Sequence, residues 1–213
     1  MSNRVPAVDK KVRRFTRQFK YSILALLLMG VCALNAPAQD DLRHEVSSQH
    51  EELTPDQKSN ASALIQIVRE STARFKDVSV AEAEGYALQF GCVSGPDQGA
   101  MGLHFVNGAL VNSGVIEARR PRIVIYEPTP HGGLRLIGAD YLVIASSWDA
   151  AHSGPPELMG QLLYLFDTPN RFGLPAFYTL HVWAWKDNPN GAFVNWHPKV
   201  SCEAFAGSAT TSR

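Results

Sequence analysis

Leu64, Ile65, Val68, Thr72 and Phe75 recur at steps of three and four residues, with Arg69, Glu70, Arg74 and Lys76 off that stripe. One apolar stripe at this period predicts a long amphipathic helix. Its start is marked by Thr54-Pro55-Asp56-Gln57: Thr can cap, Pro fits the first helical position, and Gln stands where a capping box needs it. Ser79-Val80-Ala81-Glu82 repeats the capping logic and Gly85 supplies a stop, so a short second helix is predicted there. From Gly91 onward the pattern changes to short β-prone runs broken by Gly, Pro, Asn and Asp. Strands are predicted over 103–107, 122–127, 134–145, 162–166 and 177–185, with 122–127 and 134–145 forming a hairpin around the turn-rich stretch 128–133. Helices first and strands afterwards, without alternation, predict an α+β fold in which N-terminal amphipathic helices pack on a mostly antiparallel, curved β-sheet.

The N-terminal region follows a different pattern. Lys10, Lys11, Arg13, Arg14, Arg17 and Lys20 precede an apolar stretch over 23–34 and then Ala36-Pro37-Ala38. This order of charged, apolar and small residues predicts a signal peptide over 1–38, cleaved between Ala38 and Gln39. The alternative is an uncleaved anchor, although the apolar stretch is short of the roughly 20 residues a membrane-spanning helix needs. Val31 is bulky for the position before a lipid-modified cysteine at Cys32. Residues 39–53 are polar and read as a flexible leader, 54–205 as one globular domain, and 206–213 as a disordered tail.

Charge and cysteines then bound the function. Seven of the 20 basic and one of the 20 acidic residues lie in 1–38, leaving 13 basic and 19 acidic residues in 39–213, a net charge of −6. That balance argues against nucleic acid or anionic lipid as partners. No second apolar run of membrane length follows, so no membrane association is expected after cleavage. With Cys32 removed, Cys92 and Cys202 remain as a pair. In an exported chain, periplasmic or secreted, they are expected to form a disulfide; two buried free thiols are the alternative.

Several short segments combine into a wider pattern. They are Cys92-Val93-Ser94-Gly95-Pro96, Gly99-Ala100-Met101-Gly102-Leu103-His104-Phe105-Val106-Asn107, Ile125-Tyr126-Glu127-Pro128, Gly173-Leu174-Pro175, Leu180-His181-Val182-Trp183, Asn188-Pro189-Asn190-Gly191 and Val200-Ser201-Cys202. Together they resemble a family of exported bacterial proteins of unknown function. The resemblance covers nearly all of the chain beyond the leader. It implies export and a single domain, and it carries no catalytic residues with it. Trp196-His197-Pro198 stands where the resemblance leads one to expect Asn-Pro, which argues against His197 as a shared ligand.

Candidate chemistry is sparse. The sequence has no H-E-x-x-H, G-x-G-x-x-G, G-x-x-x-x-G-K or G-x-S-x-G motif, so no catalytic residue can be assigned from a signature. His104 and His181 fall on predicted strands. Strand alternation puts Thr179, His181, Trp183 and Trp185 on one face and the aliphatic set Leu180, Val182 and Ala184, with Tyr178, on the core face. If the sheet curls, His104, Tyr126, Thr179, His181 and Trp183 are expected to line a partly polar aromatic pocket. The leading expectation is a non-catalytic binding protein for a small ligand or an envelope partner, with no cofactor. The alternative is a metal-binding protein or metal-dependent enzyme holding zinc or copper on His104, Glu127 and His181. Parity opposes using Tyr126 and Glu127 together, since Glu127 points with Ile123 and Ile125 while Tyr126 points with Val124. A third expectation is a purely structural envelope protein in which each histidine is simply hydrogen-bonded. Asp140, inside an apolar run, is expected at a solvated edge or paired with an arginine such as Arg135.

Overall fold

A computed structural model describes residues 52–207 and the short strand 209–211. The expected signal peptide, its cleavage point at Ala38 and Gln39, and most of the leader lie outside the described residues.

The first helix begins as its sequence dictates. In α1 (Pro55–Thr72), Thr54 Oγ1 accepts from the Gln57 N–H at 3.2 Å and Gln57 Oε1 accepts from the Thr54 N–H at 2.8 Å, closing a capping box. Leu64 and Val68 are fully buried on its inner face, each contributing about 1.5–3 kcal/mol by leaving water. The helix is shorter than its apolar stripe suggests: beyond Thr72 the chain tightens into a 3-10 turn over Ala73–Lys76. The second helix, α2 (Val78–Ala83), is capped by Asp77, which accepts from the Ser79 N–H, rather than by Ser79 itself.

The strands are β1 (Ala87–Ser94), β2 (Ala100–Val106), β3 (Ile123–Pro128), β4 (Leu134–Ile144), β5 (Glu157–Leu158), β6 (Gln161–Leu162), β7 (Tyr164–Phe166), β8 (Phe177–Val182) and β9 (Ala209–Thr211). Short helices α3 (Gly108–Asn112) and α4 (Ala145–Asp149) follow β2 and β4. The main sheet has the order β7-β8-β4-β3-β2-β1-β9, antiparallel throughout except for the parallel β1–β9 pair; β5 and β6 form a separate hairpin. The α+β architecture is therefore the one its patterning predicts, with α1 laid on a curled antiparallel sheet. The β3–β4 hairpin around 128–133 is present as expected. Two differences concern β1, which no alternation announces because a bulge interrupts it between Gln89 and Cys92, and β9, which lies in the stretch read as a disordered tail.

The sheet separates two apolar layers. On the helix side, Leu64 and Val68 pack with Ala139, Tyr141, Leu180 and Val182, while Phe75 and Ala81 pack with Leu103, Phe105, Val124 and Tyr126. On the other side lie Ile123, Ile125, Ile137, Leu142, Phe177 and Trp183. Strand β4 reaches this inner layer through a bulge: Ile125 pairs with Gly138 and Tyr126 with Leu136, leaving Ile137 as an extra residue. Gly138 is required there, because a Cβ would stand 2.7 Å from the Val182 carbonyl oxygen.

Tyr126, expected in the pocket, instead lies on the helix side, where its hydroxyl donates to the Phe75 carbonyl at 2.7 Å. Its strand neighbours explain this, since Tyr126 pairs with Leu103 while Ile125 pairs with His104. Tyr126→Phe is expected to leave that buried carbonyl unpaired and to cost about 1–2 kcal/mol, without changing ligand or metal uptake. Chemical denaturation beside a metal titration checks both halves; a loss of uptake with unchanged stability contradicts this placement. Trp185 also departs from its expected face. Strand β8 ends at Val182, the Ala184 N–H donates to the Val182 carbonyl, and the Trp185 indole N–H reaches back to Thr72 Oγ1 at 3.0 Å on the helix side.

The Cys92–Cys202 disulfide is formed, tying β1 to the segment beyond β8 across 110 residues. Among the described residues, no helix is long and apolar enough to cross a membrane.

Candidate metal centre in the sheet concavity

Three side chains from three strands converge on the inner face of the sheet. Asp140 on β4 and His181 on β8 are direct cross-strand partners. His104 on β2 lies three strands from β8. Neighbouring strands stand about 4.8 Å apart, so on a flat sheet that offset would be about 14 Å. Yet His104 Nε2 and His181 Nε2 are 3.3 Å apart, a distance made possible because the sheet curls toward this face. His181 Nε2 is 4.0 Å from Asp140 Oδ2. One ligand atom from each of the three residues falls within a 4.8 Å cluster, and all three residues are buried.

The surroundings fix how each group presents itself. His104 Nδ1 lies 3.3 Å from the Gly102 carbonyl, which suits an Nδ1–H donor and leaves the Nε2 lone pair facing His181. Gly102 has φ +91°, and a Cβ there would stand 2.6 Å from the Tyr126 carbonyl oxygen, so only glycine fits the position that anchors His104. Asp140 Oδ1 accepts from the Thr179 hydroxyl at 2.6 Å and from the Leu180 N–H at 3.1 Å, leaving Oδ2 as the oxygen turned toward His181. His181 Nδ1 and Asn195 Oδ1 are both buried and have no partner in good hydrogen-bonding geometry, while the polar contact of the Asn195 side chain with His181 favours the charged imidazole.

Burial dominates the electrostatics. Desolvation, aided by the adjacent His181, pushes His104 down to about 4, and desolvation pushes His181 down to about 4 as well. Desolvation raises Asp140 to about 6 against the opposing Thr179 hydrogen bond. At neutral pH the cluster therefore presents two neutral imidazoles and one carboxylate, the form in which these groups ligate metals.

The cluster opens into a cavity of about 260 Å³. Its walls are almost wholly hydrocarbon, with Phe90, Phe166, Phe172, Phe177, Leu142 and Leu174 prominent among them. Thr179 lines it alongside His104, Asp140 and His181, and Gln89 adds a further polar side chain.

Of the residues expected to form the pocket, His104, Thr179 and His181 meet in space. Tyr126 does not. Trp183 lies deeper: its ring centroid is 5.9 Å from that of His181, its indole N–H donates to the Val194 carbonyl, and it does not line the cavity. Glu127 keeps the inner-face parity expected of it but stands outside the cluster. Its carboxylate pairs with Lys186 Nζ at 2.6 Å and Arg135 at 2.7 Å. Burial pushes that carboxyl up, and the hydrogen bonds and charges of Lys186 and Arg135 outweigh burial and hold it below its usual range. The carboxylate that joins the histidines is Asp140. It is neither at a solvated edge nor paired with Arg135. The signal that identifies it is a lone carboxylate inside a long apolar strand, readable only once the β4–β8 register places it opposite His181. Set against protein-family models, curated proteins and solved structures, this chain matches none.

Proposed function

We propose that this is an exported binding protein that holds one transition-metal ion on His104 Nε2, His181 Nε2 and Asp140 Oδ2, with the metal's remaining position open to a small ligand in the cavity. One observation carries the reading: the 3.3 Å separation of two buried Nε2 atoms. Nitrogen ligands about 2.05 Å from a tetrahedral zinc ion stand about 3.3–3.4 Å apart, and Asp140 Oδ2, 4.0 Å from His181 Nε2, would draw in to complete the set. The same separation is long for a direct hydrogen bond. Two imidazoles and a carboxylate with an open position suit zinc first, and Fe(II) next. The Cys92–Cys202 bridge supports an oxidising compartment, and the hydrocarbon cavity supports a ligand over a purely structural role.

The test is elemental analysis of untagged protein recovered from an oxidising compartment, followed by zinc titration of chelator-treated protein. About one ion per chain is expected, falling at least tenfold in His181→Ala and His104→Gln. Circular dichroism of each variant separates lost ligation from lost folding. Wild-type protein that remains metal-free after incubation with zinc, iron and copper overturns the reading.

One observation favours a second reading. The 3.3 Å approach of His181 Nε2 to His104 Nε2 also accommodates a hydrogen bond in which His181 carries its proton on Nε2 and donates it to His104. The cavity then takes its ligand without metal. Long-range 1H–15N correlation of the two imidazoles tells the tautomers apart.

A further inference from the structure

We infer that the cavity ligand is a small aromatic or short-chain monocarboxylate, held by its carboxylate on the metal and by its apolar body among the phenylalanines. This inference rests on the metal reading above and adds the chemical class of the ligand to it.

Charge comes first. A divalent ion on one carboxylate and two neutral imidazoles leaves a net charge of about +1 in a buried site, and an uncompensated buried charge is costly. Asp140 is the only carboxylate among the residues lining the cavity. The missing negative charge can come from a metal-bound water that gives up a proton, or from an anionic ligand that displaces that water and keeps the site neutral. A neutral ligand leaves the site positive, and a dianion leaves it negative.

The kind of anion follows from the scarcity of donors. A phosphate presents three strong acceptor oxygens and is normally met by arginine, lysine or several backbone N–H groups. The cavity wall has no arginine or lysine. The Thr179 hydroxyl is already committed to Asp140. Gln89 is the other polar side chain besides the three proposed ligands. Such a wall can serve the two oxygens of a carboxylate at the metal and little else.

Size and shape define the body. A cavity of about 150 Å³ lined by apolar side chains takes up benzene, so one of about 260 Å³ suits about ten non-hydrogen atoms. The Phe166 and Phe177 rings are parallel, 2° apart in orientation with centroids 5.2 Å apart, while Phe90 and Phe172 meet at 59° with centroids 5.2 Å apart. These rings offer both flat faces and edges to an inserted ring, the two arrangements aromatic pairs prefer.

The experiment uses the full mature chain loaded with zinc, its zinc content measured beforehand. Isothermal titration compares 3-phenylpropanoate, 3-phenylpropanol and phenyl phosphate, each with zinc-loaded and chelator-treated protein. The carboxylate is expected to bind the zinc-loaded protein at least about tenfold more tightly than either competitor, and that preference is expected to vanish without zinc. Ile144→Trp, which fills the cavity from one wall, is expected to abolish binding of the carboxylate while zinc content stays unchanged. Equal binding of the alcohol and the acid overturns the inference, as does tighter binding of phenyl phosphate. Zinc-loaded protein that binds none of the three also overturns it and leaves the metal reading standing. A chain that takes up no zinc overturns both.

Discussion

Reduction of the Cys92–Cys202 bridge is expected to lower the unfolding free energy by about 4–5 kcal/mol. The figure follows from loop length: tying two residues 110 apart removes a large set of open conformations from the unfolded chain. Its weight depends on what remains, and a domain of this size is commonly stable by only about 5–15 kcal/mol. Cys92 is fully buried in the helix-side layer, while Cys202 packs against both layers, so the bridge also fixes the segment beyond β8 against β1. Urea titrations with and without reductant, repeated on a Cys92→Ala/Cys202→Ala variant, measure the loss. A midpoint shift worth less than about 1 kcal/mol would show that the unfolded chain is already compact enough for the bridge to matter little.

Gly102→Ala is expected to be the most damaging single substitution near the site, for reasons of backbone geometry. At φ +91° an L side chain is strained, at a cost of about 1–3 kcal/mol. The new Cβ would also meet the Tyr126 carbonyl at 2.6 Å, and this obstacle is backbone that cannot rotate away. Relief requires β2 to move off β3, bringing the total to about 2–4 kcal/mol. The same shift displaces the carbonyl beside His104 Nδ1, so zinc affinity is expected to fall by roughly 10–100-fold, as it does when an outer-shell partner is lost. Denaturation and zinc titration of the one variant report both effects. Stability within about 0.5 kcal/mol of the parent would refute the close approach.

The parts of this fold that sequence makes legible are those governed by neighbours a few residues apart. The capping box at Thr54 and Gln57, the stripe that buries Leu64 and Val68, and the turn between β3 and β4 all belong to this class. The disulfide was legible from counting, because two cysteines remain once the expected signal is set aside. Parity placed His181 and Thr179 together and put Glu127 on the inner face. It failed where strands end, which is why Trp185 crossed to the helix side after Val182. It also could not say how far along the sheet Glu127 lies, and there Lys186 and Arg135 claim it. The meeting of His104 with His181 depends on the strand order and on curl across β2, β3, β4 and β8, neither of which a linear pattern encodes. The place of Asp140 is hidden for the same reason. A carboxylate in an apolar run looks like an edge residue until its cross-strand partner is known.

The positions of the two bridged cysteines have a consequence for chain integrity. His104, Asp140 and His181 all fall between Cys92 and Cys202, so the covalent ring encloses every proposed ligand while α1 lies outside it. A protease that nicks the exposed turn at His131-Gly132-Gly133 cuts the ring once and yields two pieces still joined through sulfur. His104 then lies on one piece and Asp140 and His181 on the other, in register across β3 and β4. The bridge thus makes the proposed site tolerant of a single cut in that turn, and that tolerance lasts only as long as the bridge stays oxidised.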